Sequence, residues 1–153
     1  MAKTTLFQQS STLNVYPAIS SRMHLLVENC LTGTLMKYCN VCTKDTSHHE
    51  SVCFEDPPKV LTILLNRFEF LQHSRKLKTC ITIDKHLNFD SGSFELVGFI
   101  EHHGDTPSSG HYTSRLFYMD AAYNCDDHVI SKFNKSIDIN SKLAYIVFYS
   151  RVD

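Results

Sequence analysis

The sequence lacks tryptophan, and neither sign of charge is in excess: 15 Lys and Arg stand against 16 Asp and Glu, a formal net charge of -1. That balance argues against a basic nucleic-acid surface and against an acidic tail. No apolar run approaches the roughly 18 residues expected of a membrane-spanning helix. The opening residues, MAKTTLFQQSSTLNV, contain one Lys but no apolar stretch of the kind that marks a secretory leader. Neither nucleic acid nor membrane is therefore expected as a partner, and the expected setting is intracellular, cytoplasm and/or nucleus. Internal repeats, low-complexity tracts and linkers are absent too. With 153 residues, 42% hydrophobic and 20% charged, the chain reads as one ordinary domain with enough length to bury a core. In a reducing compartment its six cysteines (Cys30, Cys39, Cys42, Cys53, Cys80, Cys125) read as free thiols, metal ligands or a nucleophile rather than as disulfides.

The pattern of what is present is mostly that of strands. Residues 11–16 alternate and stop at Pro17. From Ser21 to Leu35 the spacing turns helical, with Leu25, Leu26, Cys30 and Leu31 on one face and Ser20 or Ser21 as the cap. Tyr38 to Cys42 forms a knuckle, and Thr43 to Glu50 reads as polar loop. Val60 to Phe70 is nearly continuous in apolar residues and predicts a strand buried on both faces. Further strands are expected at 79–83, 94–102, 111–118, 128–133 and 143–150, most of them joined by short polar loops as in an antiparallel meander. The fold class is α+β, mostly antiparallel sheet with one main helix near the N-terminus. Phe117, Tyr118, Tyr123, Phe133, Tyr145, Phe148 and Tyr149 are the expected core aromatics. Arg75-Lys76-Leu77-Lys78 reads as a loop or strand edge.

One stretch carries chemistry. Phe94 to Asp127 enters a Gly/Ser/Pro loop and emerges at Gly110-His111-Tyr112, with Asp126-Asp127 following on the next hairpin strand. A histidine at a loop-to-strand junction with a carboxylate beside it is how a general base and its orienter are often built. Gly110 allows close backbone approach next to the imidazole. A structural or solvated histidine, and an Asp-Asp turn, are the plainer readings of the same residues. Cys39-x-x-Cys42 is half of a zinc site; no second CxxC exists, and His48, His49 and Cys53 stand nearby at a spacing that matches no standard pattern. His102 and His103 point to opposite faces of a strand and read as surface or rim residues.

These segments together resemble the carboxy-terminal half of a ubiquitin-specific protease catalytic domain, a papain-like cysteine peptidase. Leu25–Cys42 resembles the helix and second zinc knuckle of its fingers region. Pro58–Phe70 (PKVLTILLNRFEF) and residues 77–89 resemble the strands that follow. Phe94–Thr113 resembles the histidine box, and Asn124–Val129 with Ala144–Tyr149 resembles the acid box and last strand. The resemblance implies one partial domain over residues 1–153, a fingers remnant at about 11–56 and palm sheet at about 57–151. It implies His111 as general base, Asp126 as its orienting acid, Asp127 as an acidic neighbour, and Cys39 and Cys42 as half of a structural zinc site, with no cofactor needed for catalysis.

Three departures accompany it. The family's Gly-Asn-Thr-Cys-Tyr nucleophile box is absent, as is the first CxxC pair, and the Trp-Tyr before the acid box is Ala122-Tyr123. Cys30 reads as core packing. Cys125 points away from Asp126, and the neighbouring carboxylates disfavour its thiolate. The implied activity is thiol-dependent hydrolysis of isopeptide or peptide bonds at the ubiquitin C-terminus, with ubiquitin or ubiquitinated proteins as partners, the chain supplying His and Asp but not Cys. The alternative is an inactive module that binds ubiquitin without cutting it. The linkage cut and the protein substrate are not legible.

Overall fold

Buried and half-exposed residues alternate along most of this chain, and that period of two lays out the sheet. A computed structural model describes residues 2–8, 12–17, 22–54, 56–70, 74–133 and 139–152. The elements run β1 (Ala2–Gln8), β2 (Thr12–Val15), α1 (Met23–Leu31), β3 (Thr32–Cys39), β4 (Lys44–Phe54), β5 (Val60–Leu65), β6 (Phe68–Phe70), β7 (Ser74–Lys76), β8 (Ile81–Ile83), β9 (His86–Phe89), β10 (Gly92–Thr106), β11 (Ser109–Tyr118), β12 (Ala121–Asp126), β13 (Val129–Phe133), β14 (Ile139–Ser141) and β15 (Ala144–Val152). The main sheet is ordered β13-β12-β11-β10-β15-β5-β2, with β9 also pairing β10; a smaller sheet is β1-β4-β3. Pairing is antiparallel except for β2 with β5 and β1 with β4. No helix of the described residues is long and apolar enough to cross a membrane.

The core lies between one face of the main sheet and α1. Leu61, Ile63 and Leu65 are fully buried while Thr62 and Leu64 are not, so β5 is buried on one face rather than both. The apolar run also breaks at Asn66-Arg67, where the chain leaves β5 before starting β6. On α1, Met23, Leu26, Val27 and Leu31 form the buried stripe at i, i+3, i+4 and i+8. Leu25 is exposed, which corrects the expected face; the side chain of Cys30 lies outside the described residues, as do Ser20 and Ser21. The helix is instead capped from a distance. Asp84 accepts from the backbone N–H of His24 at 3.0 Å and pairs with its Nδ1 at 2.8 Å, placing a carboxylate at the positive end of the helix. The helix stops at Leu31, short of the expected Leu35, because Thr32-Gly33-Thr34 pair with β4. That pairing makes residues 44–50 a strand as well, where polarity alone suggests a loop.

Tyr149 is the one fully buried member of the expected aromatic core. Its hydroxyl donates to the carbonyl of Asp84 at 2.8 Å, and burial raises its pKa. Tyr118 is exposed, the other five are half-buried, and Phe94, Phe99 and Phe54 fill the core instead. Two bulges explain the shift. β10 loses register against β15 at Leu96/Gly98 and again at Ile100/Glu101, so its buried residues run Phe94, Leu96, Gly98, Phe99, Glu101, His102, out of strict alternation.

Arg67, wholly buried, ties the edges of this arrangement together. Its guanidinium donates to the carbonyls of Ala144 (2.5 Å), Thr79 (2.8 Å), Leu77 (3.0 Å) and Ser141 (3.3 Å). Burial brings its pKa down to about 10, which still leaves it charged at neutral pH. Arg67→Ala leaves four carbonyls short of a donor in a buried site, so urea denaturation is expected to show a loss of about 3 kcal/mol or more. A loss under about 1 kcal/mol would show that water or other donors replace the guanidinium.

Candidate active site

The three strands β10, β11 and β12 form consecutive antiparallel pairs, and their rim gathers the polar groups singled out in the sequence. His103 faces His111 across β10 and β11, and Asp126 closes β12 just before a two-residue turn into β13. Asp127 occupies that turn with φ of 48°, a left-handed conformation that Asp tolerates better than most residues. Its turn role and its nearness to the histidine therefore coexist.

His111 Nε2 lies 2.5 Å from Asp126 Oδ1, both side chains about half exposed. Because an ionised carboxylate only accepts, Nε2 carries the proton in this contact and Nδ1 is the basic nitrogen of the neutral ring. The bond to Asp126 raises the His111 pKa above the ordinary 6.5, helped by the charge of Asp126, opposed by desolvation, and helped further, to a smaller extent, by the charge of Asp127. One donor atom from each of His111, Asp126 and Asp127 falls within 4.8 Å of the others, and no cysteine thiol of the described residues joins that group. With all three side chains exposed and one Asp126 oxygen committed to the imidazole, this is an acid–base cluster. Such a pair can take a proton from a nucleophile at Nδ1 and return it to a leaving group.

Beneath the rim lies a layer that the sequence pattern did not mark. His102, expected at the surface, is 1% exposed. Its ring sits 4.8 Å from that of Tyr112 and 5.6 Å from Phe68, and its backbone N–H donates to Leu143 O at 2.9 Å. Lys76, expected at a loop or edge, is buried against it and donates to His102 O at 2.6 Å and Gly104 O at 2.8 Å. Glu101 is buried as well; Ser141 Oγ donates to it at 2.6 Å, and Arg115 Nε lies 3.2 Å away. His103 remains at the exposed rim, with Thr113 Oγ1 at 2.8 Å.

Residues 8–149 match the family described as ubiquitin carboxyl-terminal hydrolase. The chain belongs to that family. It is 29% identical over 162 aligned residues to ubiquitin carboxyl-terminal hydrolase 5 of Arabidopsis thaliana, covering 97% of this chain and 17% of that protein. It is 32% identical over 123 residues to ubiquitin carboxyl-terminal hydrolase 7 of Saccharomyces cerevisiae, covering 67% of this chain and 11% of that protein. The fold is similar to that in the SAGA Ubp8/Sgf11/Sus1/Sgf73 DUB module bound to ubiquitin aldehyde, with a TM-score of 0.73 at 19% identity, covering 93% of this chain and 36% of that one. The same module bound to monoubiquitin gives 0.71 at 21% identity, covering 93% and 35%. The papain-like, sheet-dominated fold is thus shared, and the chain spans well under half the length of these relatives.

The departures noted in the sequence have definite places. Ala122 is fully buried and has Phe117 and Phe133 as its register partners on either side, their rings edge to face with centres 6.3 Å apart. Cys39 and Cys42 sit at the turn between β3 and β4, where Thr43 N–H donates to Cys39 O at 2.8 Å. The bond between the two thiols lowers the Cys39 pKa, after a larger contribution from the Cys42 backbone, and raises that of Cys42. His48 lies four residues down β4, opposite Leu35, and bonds Thr46 Oγ1 at 3.0 Å. No His, Cys, Asp or Glu of the described residues gathers with the two thiols, and the Cys53 side chain lies outside those residues. Two thiols do not make the closed four-ligand site that structural zinc requires.

The raised His111 pKa has a definite sign. Its stabilising contribution is complete below the ordinary 6.5 and fades as pH rises through the folded-state value. In Asp126→Asn the imidazole loses its anionic acceptor, so its NMR titration midpoint is expected to fall toward 6.5 and this part of the pH dependence of stability to flatten. An unchanged midpoint would show that Asp126 does not hold the ring.

Proposed function

We propose that this chain carries the base and the acid of a thiol-dependent deubiquitinating enzyme, with the nucleophilic cysteine supplied from outside these residues. The observation that carries this reading is the His111–Asp126 contact of 2.5 Å at an exposed rim, in a chain of the ubiquitin carboxyl-terminal hydrolase family. His111 Nδ1 takes the proton of the thiol as sulfur attacks the carbonyl after ubiquitin's last glycine. The imidazolium, held by Asp126 and by the nearby charge of Asp127, then protonates the leaving amine. Similarity to structures described as bound to monoubiquitin and to ubiquitin aldehyde supports ubiquitin as the partner. A thiol-dependent reaction suits a reducing, intracellular setting. Cys39 and Cys42 are read as one half of a zinc knuckle whose other thiols lie elsewhere.

No described thiol joins the His111–Asp126 group, and this favours a second reading, a ubiquitin-binding module without turnover. The two are separable. The chain alone is expected neither to hydrolyse a ubiquitin–rhodamine substrate nor to be labelled by a ubiquitin vinyl-sulfone probe. Complemented with a relative's thiol-bearing half, it is expected to turn over substrate, with His111→Ala or Asp126→Ala lowering kcat by about 100-fold or more. Labelling of the isolated chain at Cys125 or Cys30 would overturn the external nucleophile. Failure of complementation with retained binding of labelled ubiquitin selects the binding module, and no binding at about millimolar ubiquitin, on the order of 4 kcal/mol, sinks both readings.

A further inference from the structure

Between the paired residues His103–His111 and Thr106–Ser109, two residues of β10, Gly104 and Asp105, face the single Gly110 of β11. This is a β-bulge, a device that re-aims the side chains beside it. The residue it re-aims is His111. Both glycines are required by the packing. A Cβ at Gly104 would run into Ser109 O, and one at Gly110 into His102 Nε2 and His103 O.

Lys76 reaches the bulge from β7. Its ammonium has three donors, and three acceptors surround it: His102 O at 2.6 Å, Gly104 O at 2.8 Å and His102 Nδ1 at 3.2 Å. The two carbonyls belong to the bulge and to the residue that leads into it. Accepting at Nδ1 leaves Nε2 of His102 as its N–H, and Nε2 is the atom lying against Gly110. One buried cation thus holds the bulge backbone directly and, through the His102 ring, the glycine that precedes His111. Burial, and then the charge of Arg67, lowers the Lys76 pKa. All three partners are neutral acceptors, so an apolar side chain of similar volume fills the space but leaves buried acceptors without their donor. What an apolar side chain cannot do is gather the carbonyls of an irregular backbone.

We propose that Lys76 is a positioning residue for His111, fixing the β10 bulge so that Gly110 presents the imidazole to Asp126. The role rests on the reading of His111 as the base, but its test does not. The groups facing His111 are Asp126 and Asp127 from β12 and its turn, and His103 across the ladder with ring centres 6.4 Å apart; Lys78 and Asp105, 3.0 Å apart, flank the bulge. The charged groups that shift His111 are Asp126 and Asp127, and the Lys76 charge is not among them, so its loss by itself leaves the titration midpoint in place. Losing the aim toward Asp126 lowers it. A downward shift therefore reports the aim.

The experiment is histidine-ring NMR titration of the full chain. In Lys76→Met and in Gly110→Ala the His111 midpoint is expected to shift down, with amide shifts changing over residues 103–111, while Lys78→Met, an exposed cation at the same bulge, leaves it in place. If Lys76→Met does not fold, Lys76→Gln, which keeps a single donor group, is expected to show the same downward shift. A midpoint that stays or rises in the folded Lys76 variant overturns the proposal. Failure of His111 as a base would appear in the complementation assay instead, with these titrations unaffected.

Discussion

Two buried cations bonded to main-chain carbonyls hold the working end of this sheet in place. Arg67 collects the carbonyls of Leu77, Thr79, Ser141 and Ala144, and Lys76 collects those of His102 and Gly104. Removing a cation from water is expensive, and no carboxylate of the described residues bonds either group in return. The compensation comes from the carbonyls they gather: Leu77 and Thr79 after β7, Ser141 and Ala144 at the facing ends of β14 and β15, and His102 and Gly104 of β10. Buried carbonyls need donors. Each cation therefore draws together backbone from separate elements at this end of the sheet.

The same constraint shapes the rim. A regular β10–β11 hairpin would keep strict two-residue alternation up to His111. The bulge breaks that alternation beside the histidine, and the tight turn after Asp126 ends β12 where a carboxylate meets Nε2. With Asp126 on Nε2, the tautomer is set and Nδ1 is the basic atom of the neutral ring. The base–acid pair is thus assembled by strands β10 to β12 and their turns, without any contribution from a nucleophile.

How much of this the sequence reveals depends on the kind of pattern involved. His111 and Asp126 are legible because loop chemistry (Ser108-Ser109-Gly110) and a short hairpin bring two reactive groups together within a few residues. Most strands are legible from alternation. The errors cluster where non-local pairing overrides local preference. Thr32 to Leu35 continue a helical spacing but are claimed by β4, and the polar Lys44 to Glu50 become a strand because β1 and β3 flank them. Burial of His102 depends on bulges in β10 that leave no compositional mark. Lys76 looks like one of a run of exposed basic residues, since a buried amine is identified by its acceptors and those lie 26 and 28 residues away in sequence. Only Gly110 marks a close backbone approach there.

The His111–Asp126 pair and the Cys39–Cys42 turn differ in physical character. The His111–Asp126 pair is assembled within these residues, imidazole against carboxylate. The Cys39–Cys42 turn is incomplete as a metal device, since its thiols bond one another and no third ligand of the described residues joins them. The imidazole–carboxylate pair has both partners fixed by consecutive strands of the main sheet. The two thiols stand at the tip of the β3–β4 hairpin, where the Thr43 N–H bond to Cys39 O closes the turn. The difference is one of support: a ladder of three strands holds the first pair, a single hairpin turn the second.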